Sequence, residues 1–131
     1  MRTDRINREI AAVTDKYPDA NAVDEPGGSV GLVIPKFPLP AGFTSEMARI
    51  AVRIPALYPT EKLDLFWLDP AVACRDGAQL PNVMTHGVTI AGEQWTQISW
   101  HDNGPHDPNR VSVLGFVHSI KQWFAGQVGS A

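Results

Sequence analysis

Residues 49–70, RIAVRIPALYPTEKLDLFWLDP, decide how this chain is read. Ile50, Val52 and Ile54 alternate with Arg49, Ala51 and Arg53, so one side of the segment is apolar and the other is not. A period of two is the signature of a half-buried β-strand. The strand is expected over Met47–Ile54 and stops at Pro55, because proline cannot donate to a ladder. Pro55 to Pro59 then forms a turn, and Leu63–Leu68 reads as a second strand closed by Asp69-Pro70. Tyr58 and Pro59 are read as architectural, holding the turn between the two strands.

Towards the amino end, Ile6, Ile10, Val13 and Tyr17 recur at helical spacing and mark one face of a helix. Thr3 or Asp4 caps it, and Pro18 ends it by pushing the preceding residue out of the helical region. Residues 19–29 are turn formers. Val30 to Ile34 is a short apolar strand ending at Pro35. The prolines and glycine between Lys36 and Phe43 make that stretch a loop or an edge segment. PKFPLP (35–40) also resembles a polyproline ligand, although a loop beside the sheet edge is the commoner use.

Towards the carboxyl end, residues 71–87 have no periodicity and carry Gly77, Pro81, Asn82 and Gly87, which suits a long functional loop. Val88–Ile90 and Trp95–Trp100 suggest a hairpin about Ala91-Gly92-Glu93. Asp107-Pro108 is a favourable helix start. The helix that follows puts Val113, Phe116, Val117, Ile120, Trp123 and Phe124 on one face and ends near Gly126. The order is helix, three to five antiparallel strands, loop, helix. That order implies an α+β fold, expected as one domain over residues 1–131.

The chain has 131 residues, 44% of them apolar, and a net charge of −3, which suits one globular domain with a core. No basic stripe favours nucleic acid, and no nucleotide-binding motif occurs. A single cysteine excludes an internal disulfide, and the charged start MRTDRINREI is unlike a signal peptide. No apolar run reaches the roughly 20 residues a bilayer requires. The expectation is a cytoplasmic protein with neither a cofactor nor a membrane partner.

The strand ending at Ile54-Pro55, the Tyr58-Pro59 turn and the apolar strand ending in a proline resemble the β-meander of ubiquitin-conjugating (E2) enzymes. The closer resemblance is to the bacterial proteins of prokaryotic E2 family E. It is carried by IPxxYP, by the Phe66-Trp67 strand end before Pro70, and by Ile98-Ser99-Trp100-His101, which stands where that family has a Trp-Ser-Xaa-His segment. The order matches over roughly residues 3–125. The resemblance implies an N-terminal helix, an antiparallel β-meander, an active-site loop and a C-terminal helix. It implies a conjugating enzyme that takes a ubiquitin-like protein from an E1-like enzyme as a cysteine thioester. That protein then passes to an amine on a target, and several such bacterial systems act against phage. It also implies that the first helix docks on the E1, a role open to Arg2, Arg5 and Arg8.

Thioester chemistry needs a thiol, because a serine or threonine ester would stall transfer. The only thiol is Cys74. Arg75 favours its thiolate and Asp76 opposes it. Gly77 would let the backbone approach an incoming tail. His101 is the first candidate for the base that deprotonates the attacking amine, and His86 is the second. Asn82 is the candidate oxyanion donor. The His-Pro-Asn triplet that precedes the cysteine in eukaryotic E2 enzymes is absent, and the family spacing from Tyr-Pro falls nearer Val83 to Gly87. A non-catalytic E2-fold module that binds a ubiquitin-like protein or an E1 is therefore a second reading. His101, His106 and His118 with Asp102 and Asp107 match no known ligand template, so no metal site is expected.

Overall fold

The computed structural model describes residues 3–63, 65–70, 72, 77, 83–98, 107 and 111–128, leaving aside the side chains of 84–87, 127 and 128. Helix α1 spans Asp4–Lys16, and its N-cap Thr3 accepts a hydrogen bond from the Ile6 amide at 3.1 Å. Six strands follow: β1 Asn21–Asp24, β2 Val30–Pro38, β3 Met47–Ile54, β4 Phe66–Leu68, β5 Val83–Ile90 and β6 Glu93–Ile98. Helix α2, Val113–Val128, comes after them. All the pairings are antiparallel, in the order β1-β2-β3-β4-β6-β5. The first four strands form the expected meander, and the β5–β6 hairpin extends it.

The inner face of the sheet packs on both helices. Leu32, Ile34, Ile50, Val52, Ile54, Phe66 and Leu68 meet Ile6 and Val13 of α1 and Val113, Phe116, Val117, Ile120, Trp123 and Phe124 of α2. Phe124 is at the centre, with its ring centroid 5.4 Å from Phe43, 5.8 Å from Phe66 and 6.1 Å from Phe37. The alternation read in β3 is realised, since Ile50, Val52 and Ile54 all face this core.

The outer face is not bare. Val33, Ala51, Trp67, Ile90 and Trp95 form a second buried cluster there. The sheet curls until Ile90 of β5 reaches Gly31 of β2, where a Cβ would lie 2.9 Å from its Cγ2. Gly31 is glycine because there is no room for a side chain. The hairpin turns at Ala91-Gly92, both with positive φ.

Several expectations change. Strand β1 lies inside the stretch read as turn, and β2 runs on through Pro35 and Pro38. β1 pairs only Val30–Val33, and a register shift falls between Ile34 and Phe37. Beyond Val33, then, β2 is an edge with a bulge, where proline is tolerated. Phe37 is fully buried, which takes the PKFPLP segment out of use as a ligand motif. The strand expected over 63–68 is limited to Phe66–Leu68, and Leu65 takes a positive φ of 60° just before it. Helix α2 begins at Val113 rather than at Pro108. Its first turn is held by Ser112, whose Oγ accepts from the Gly115 amide at 2.9 Å. It continues through Gly126 to Val128.

Candidate functional site

A buried carboxylate joins three distant parts of the chain. Glu9 sits on the inner side of α1 and is only 9% exposed. Its Oε1 accepts from the Tyr58 hydroxyl at 2.7 Å and from the Val113 amide at 2.6 Å. Its Oε2 pairs with Arg5. Arg5 in turn donates to the Val111 carbonyl at 2.8 Å, and its guanidinium lies 5.7 Å from the Tyr58 ring. The carboxylate thereby satisfies the first amide of α2, where the helix dipole favours negative charge. Burial, then the hydrogen bond to Glu9, pushes the Tyr58 phenol above its ordinary range. The Tyr58-Pro59 peptide bond is cis. The tyrosine of the turn is thus architectural, as its sequence setting suggested. Arg5 is engaged within the fold and is not an open docking residue; Arg8 is exposed, and Arg2 lies outside the described residues.

The loop that carries Cys74 leaves from β4. The Asp69 amide donates to the Arg49 carbonyl at 3.1 Å, and the Val72 amide donates to the Asp69 carbonyl at 3.1 Å. Val72 packs on the main core. Arg49 fixes this root from outside: its Nε reaches Asp69 at 3.0 Å and its Nη1 reaches Glu93 at 2.8 Å. The guanidinium lies 4.7 Å from the Trp95 ring. The hydrogen bond to Asp69, the largest cause, raises its pKa further. One arginine therefore ties the loop root to the tip of the β5–β6 hairpin. Gly77 has φ +81°, a left-handed conformation suited to glycine, and open space where a Cβ would be.

Cys74, Asn82 and His101 lie outside the described residues, as do His106 and Asp102. Their points of attachment are placed. The loop after β4 starts beside Thr96, because Leu68 pairs with Thr96. It rejoins the sheet at Val83, which pairs with Ile98, the last residue of β6. Val83 and Ile98, paired with each other, form the open end of the hairpin. His86 was read as part of the long loop, but its backbone belongs to β5, and its side chain is outside the described set. The register of β5 slips once between Val83 and Thr85 and again between Thr85 and Val88. These bulges erase the period of two before Val88, which is why only Val88–Ile90, the hairpin arm, is legible in the sequence. His118 is exposed on α2. Among the described residues no group of three His, Cys, Asp or Glu side chains is placed to hold a metal ion. Among the same residues no helix is long and apolar enough to cross a membrane.

The residues that sequence reasoning missed are Glu9, Arg49 and Arg53. Glu9 had a signal: it falls between Ile6 and Val13 on the apolar stripe of α1. The arginines had a weaker one: they flank Ala51, an apolar residue on the strand side opposite Ile50, Val52 and Ile54. Comparison with known families finds that residues 14–127 match the family model described as Prokaryotic E2 family E. Neither the curated proteins nor the solved structures gave a match.

Proposed function

Since the chain belongs to prokaryotic E2 family E, we propose that it is a conjugating enzyme that carries a ubiquitin-like protein on Cys74. The family match over most of the chain carries this reading, and the uniqueness of Cys74 supplies the nucleophile. The Cys74 thiolate attacks the carbonyl carbon of an E1-bound thioester, the tetrahedral oxyanion collapses, and the E1 thiolate leaves. An amine of the target then attacks the new thioester, Cys74 departs as thiolate, and the amine gives up a proton. His101, with His86 as the second choice, accepts that proton, and Asn82 donates to the oxyanion. The setting we propose is the bacterial cytoplasm, in a conjugation system directed against phage, with no cofactor.

One observation favours a second reading. The His-Pro-Asn triplet is missing, and Cys74 stands early relative to Tyr58-Pro59. A non-catalytic member would use the same fold to hold a ubiquitin-like protein or an E1. Incubation with the cognate E1, the ubiquitin-like protein and ATP separates the two. The enzyme gives an adduct that thiols cleave and that Cys74→Ala abolishes. No adduct with an active E1 overturns the enzymatic reading in favour of the binding one.

A further inference from the structure

The outer face of the sheet carries two arginine–tryptophan stacks that differ in one respect. Arg49 over Trp95 has both edges of its guanidinium occupied, by Asp69 and by Glu93. Arg53 lies 5.2 Å from the Trp67 ring centroid and is held only through Nε, by Glu25 at 3.1 Å. Among the described residues nothing bonds its two terminal nitrogens. The stack is rigidly supported. Trp67 is buried and donates through Nε1 to Gln97 at 3.0 Å, and the Glu25 side chain is only 13% exposed. Arg53 therefore presents a fixed, unfilled pair of N–H donors, the geometry that matches a carboxylate bidentately.

That fork lines an open groove of about 600 Å³ at the end of the sheet where β3 stops. Trp67 and Pro55 supply apolar wall, Leu57 stands at 69% exposure, and Glu61 and Lys62 are also in the lining. Among the described residues, Glu61 of the lining stands against Lys62, and Arg53 is paired with Glu25 just outside it, so these charges cancel. A polyanion gains little from such a site, whereas one carboxylate that uses both terminal nitrogens of Arg53 gains a directed, charge-assisted contact. The exposed leucine and the proline beside it fit an apolar side chain next to that carboxylate.

We propose that this groove is a docking site for an acidic peptide segment of a protein partner, taking one Asp or Glu side chain on Arg53 and a neighbouring apolar side chain against Leu57 and Pro55. It lies apart from the root of the Cys74 loop, and it does not depend on whether that cysteine reacts. The test uses the full chain and the capped peptide Ac-Ala-Leu-Asp-Glu-Leu-Ala-NH2. Its binding is followed by calorimetry and by the shift of the Trp67 indole N–H resonance. Saturable binding is expected, weakened at least tenfold by Arg53→Lys, which keeps the charge opposite Glu25 but removes the fork. The peptide with Asn and Gln in place of Asp and Glu should bind at least tenfold more weakly. Leu57→Ala, at an exposed position that leaves the fold intact, should weaken binding severalfold. Absence of binding at millimolar peptide overturns the proposal, and so does binding indifferent to both Arg53→Lys and Leu57→Ala. Equal competition by inorganic phosphate or by a phosphoserine peptide overturns it in favour of a general anion site.

Discussion

Tyr58 shows at the scale of one residue why a turn tyrosine is kept. Its ring is buried and its hydroxyl donates to a carboxylate that has two other donors to satisfy. Tyr58→Phe removes one hydrogen bond to a charged group and leaves Glu9 with its remaining partners. The expected loss is about 2 kcal/mol near neutral pH, read from urea denaturation. The variant should also change the alkaline limb of stability. The folded protein holds the Tyr58 proton more tightly than the unfolded chain does, because burial and Glu9 raise its pKa above the ordinary tyrosine value of 10.0. The contribution is therefore complete below that value and is lost as the pH rises above it. Wild type should fall more steeply than Tyr58→Phe between pH 10 and the onset of alkaline unfolding. Equal slopes would show that the phenol is not held this way.

What the sequence disclosed depended on what kind of interaction formed each element. Strand β3 and helix α1 were legible because one side of each meets the main core, and burial imprints a period on the residues. β1 was not, because Asn21–Asp24 is held by ladder hydrogen bonds to β2 and carries no alternation of its own. The first half of β5 was hidden by its two bulges, whereas its hairpin arm Val88–Ile90 was read, and the start of α2 was misplaced because Asp107-Pro108 offers a better local cap than Ser112. Within the candidate site, the proposal of Cys74 as nucleophile rests on its uniqueness in the sequence. The anchoring of its loop by Arg49 could not be read there, because Arg49 meets Asp69 and Glu93 only through the pairing of β4 with β3 on one side and with β6 on the other. The curl of the sheet is testable through Gly31. A methyl at this position meets Ile90 Cγ2 at 2.9 Å and Glu25 Oε1 at 3.2 Å. Gly31→Ala should cost about 1–3 kcal/mol. Combined with Ile90→Ala, it should cost about 1 kcal/mol less than the two changes added together, because the second makes room for the first. A double-mutant cycle by chemical denaturation gives the coupling, and strict additivity would remove the hairpin from this contact.

The whole molecule is a sheet with a core on each face, and the two cores are unequal. The inner one unites both helices, with the rings of Phe37, Phe43, Phe66 and Trp123 around Phe124, while the outer one is a small cluster closed by the hairpin. Phe124→Ala should destabilise the protein by about 3–5 kcal/mol, a large fraction of the roughly 5–15 kcal/mol that holds a domain together. Leu57→Ala, at an exposed position, should fall within about 0.5 kcal/mol of wild type. Denaturation midpoints compared across the two variants check the contrast.

The Glu9 carboxylate has a consequence for the order in which these parts assemble. Its partners Tyr58 and Val113 are 49 and 104 residues away along the chain. Loops of that length must close before either bond can form, and their entropy is lost before the bonds return anything. The carboxylate therefore finds its donors only once both helices have packed against the inner face of the sheet. It contributes little to the speed of folding, and its stabilisation is felt almost wholly as a slower rate of coming apart.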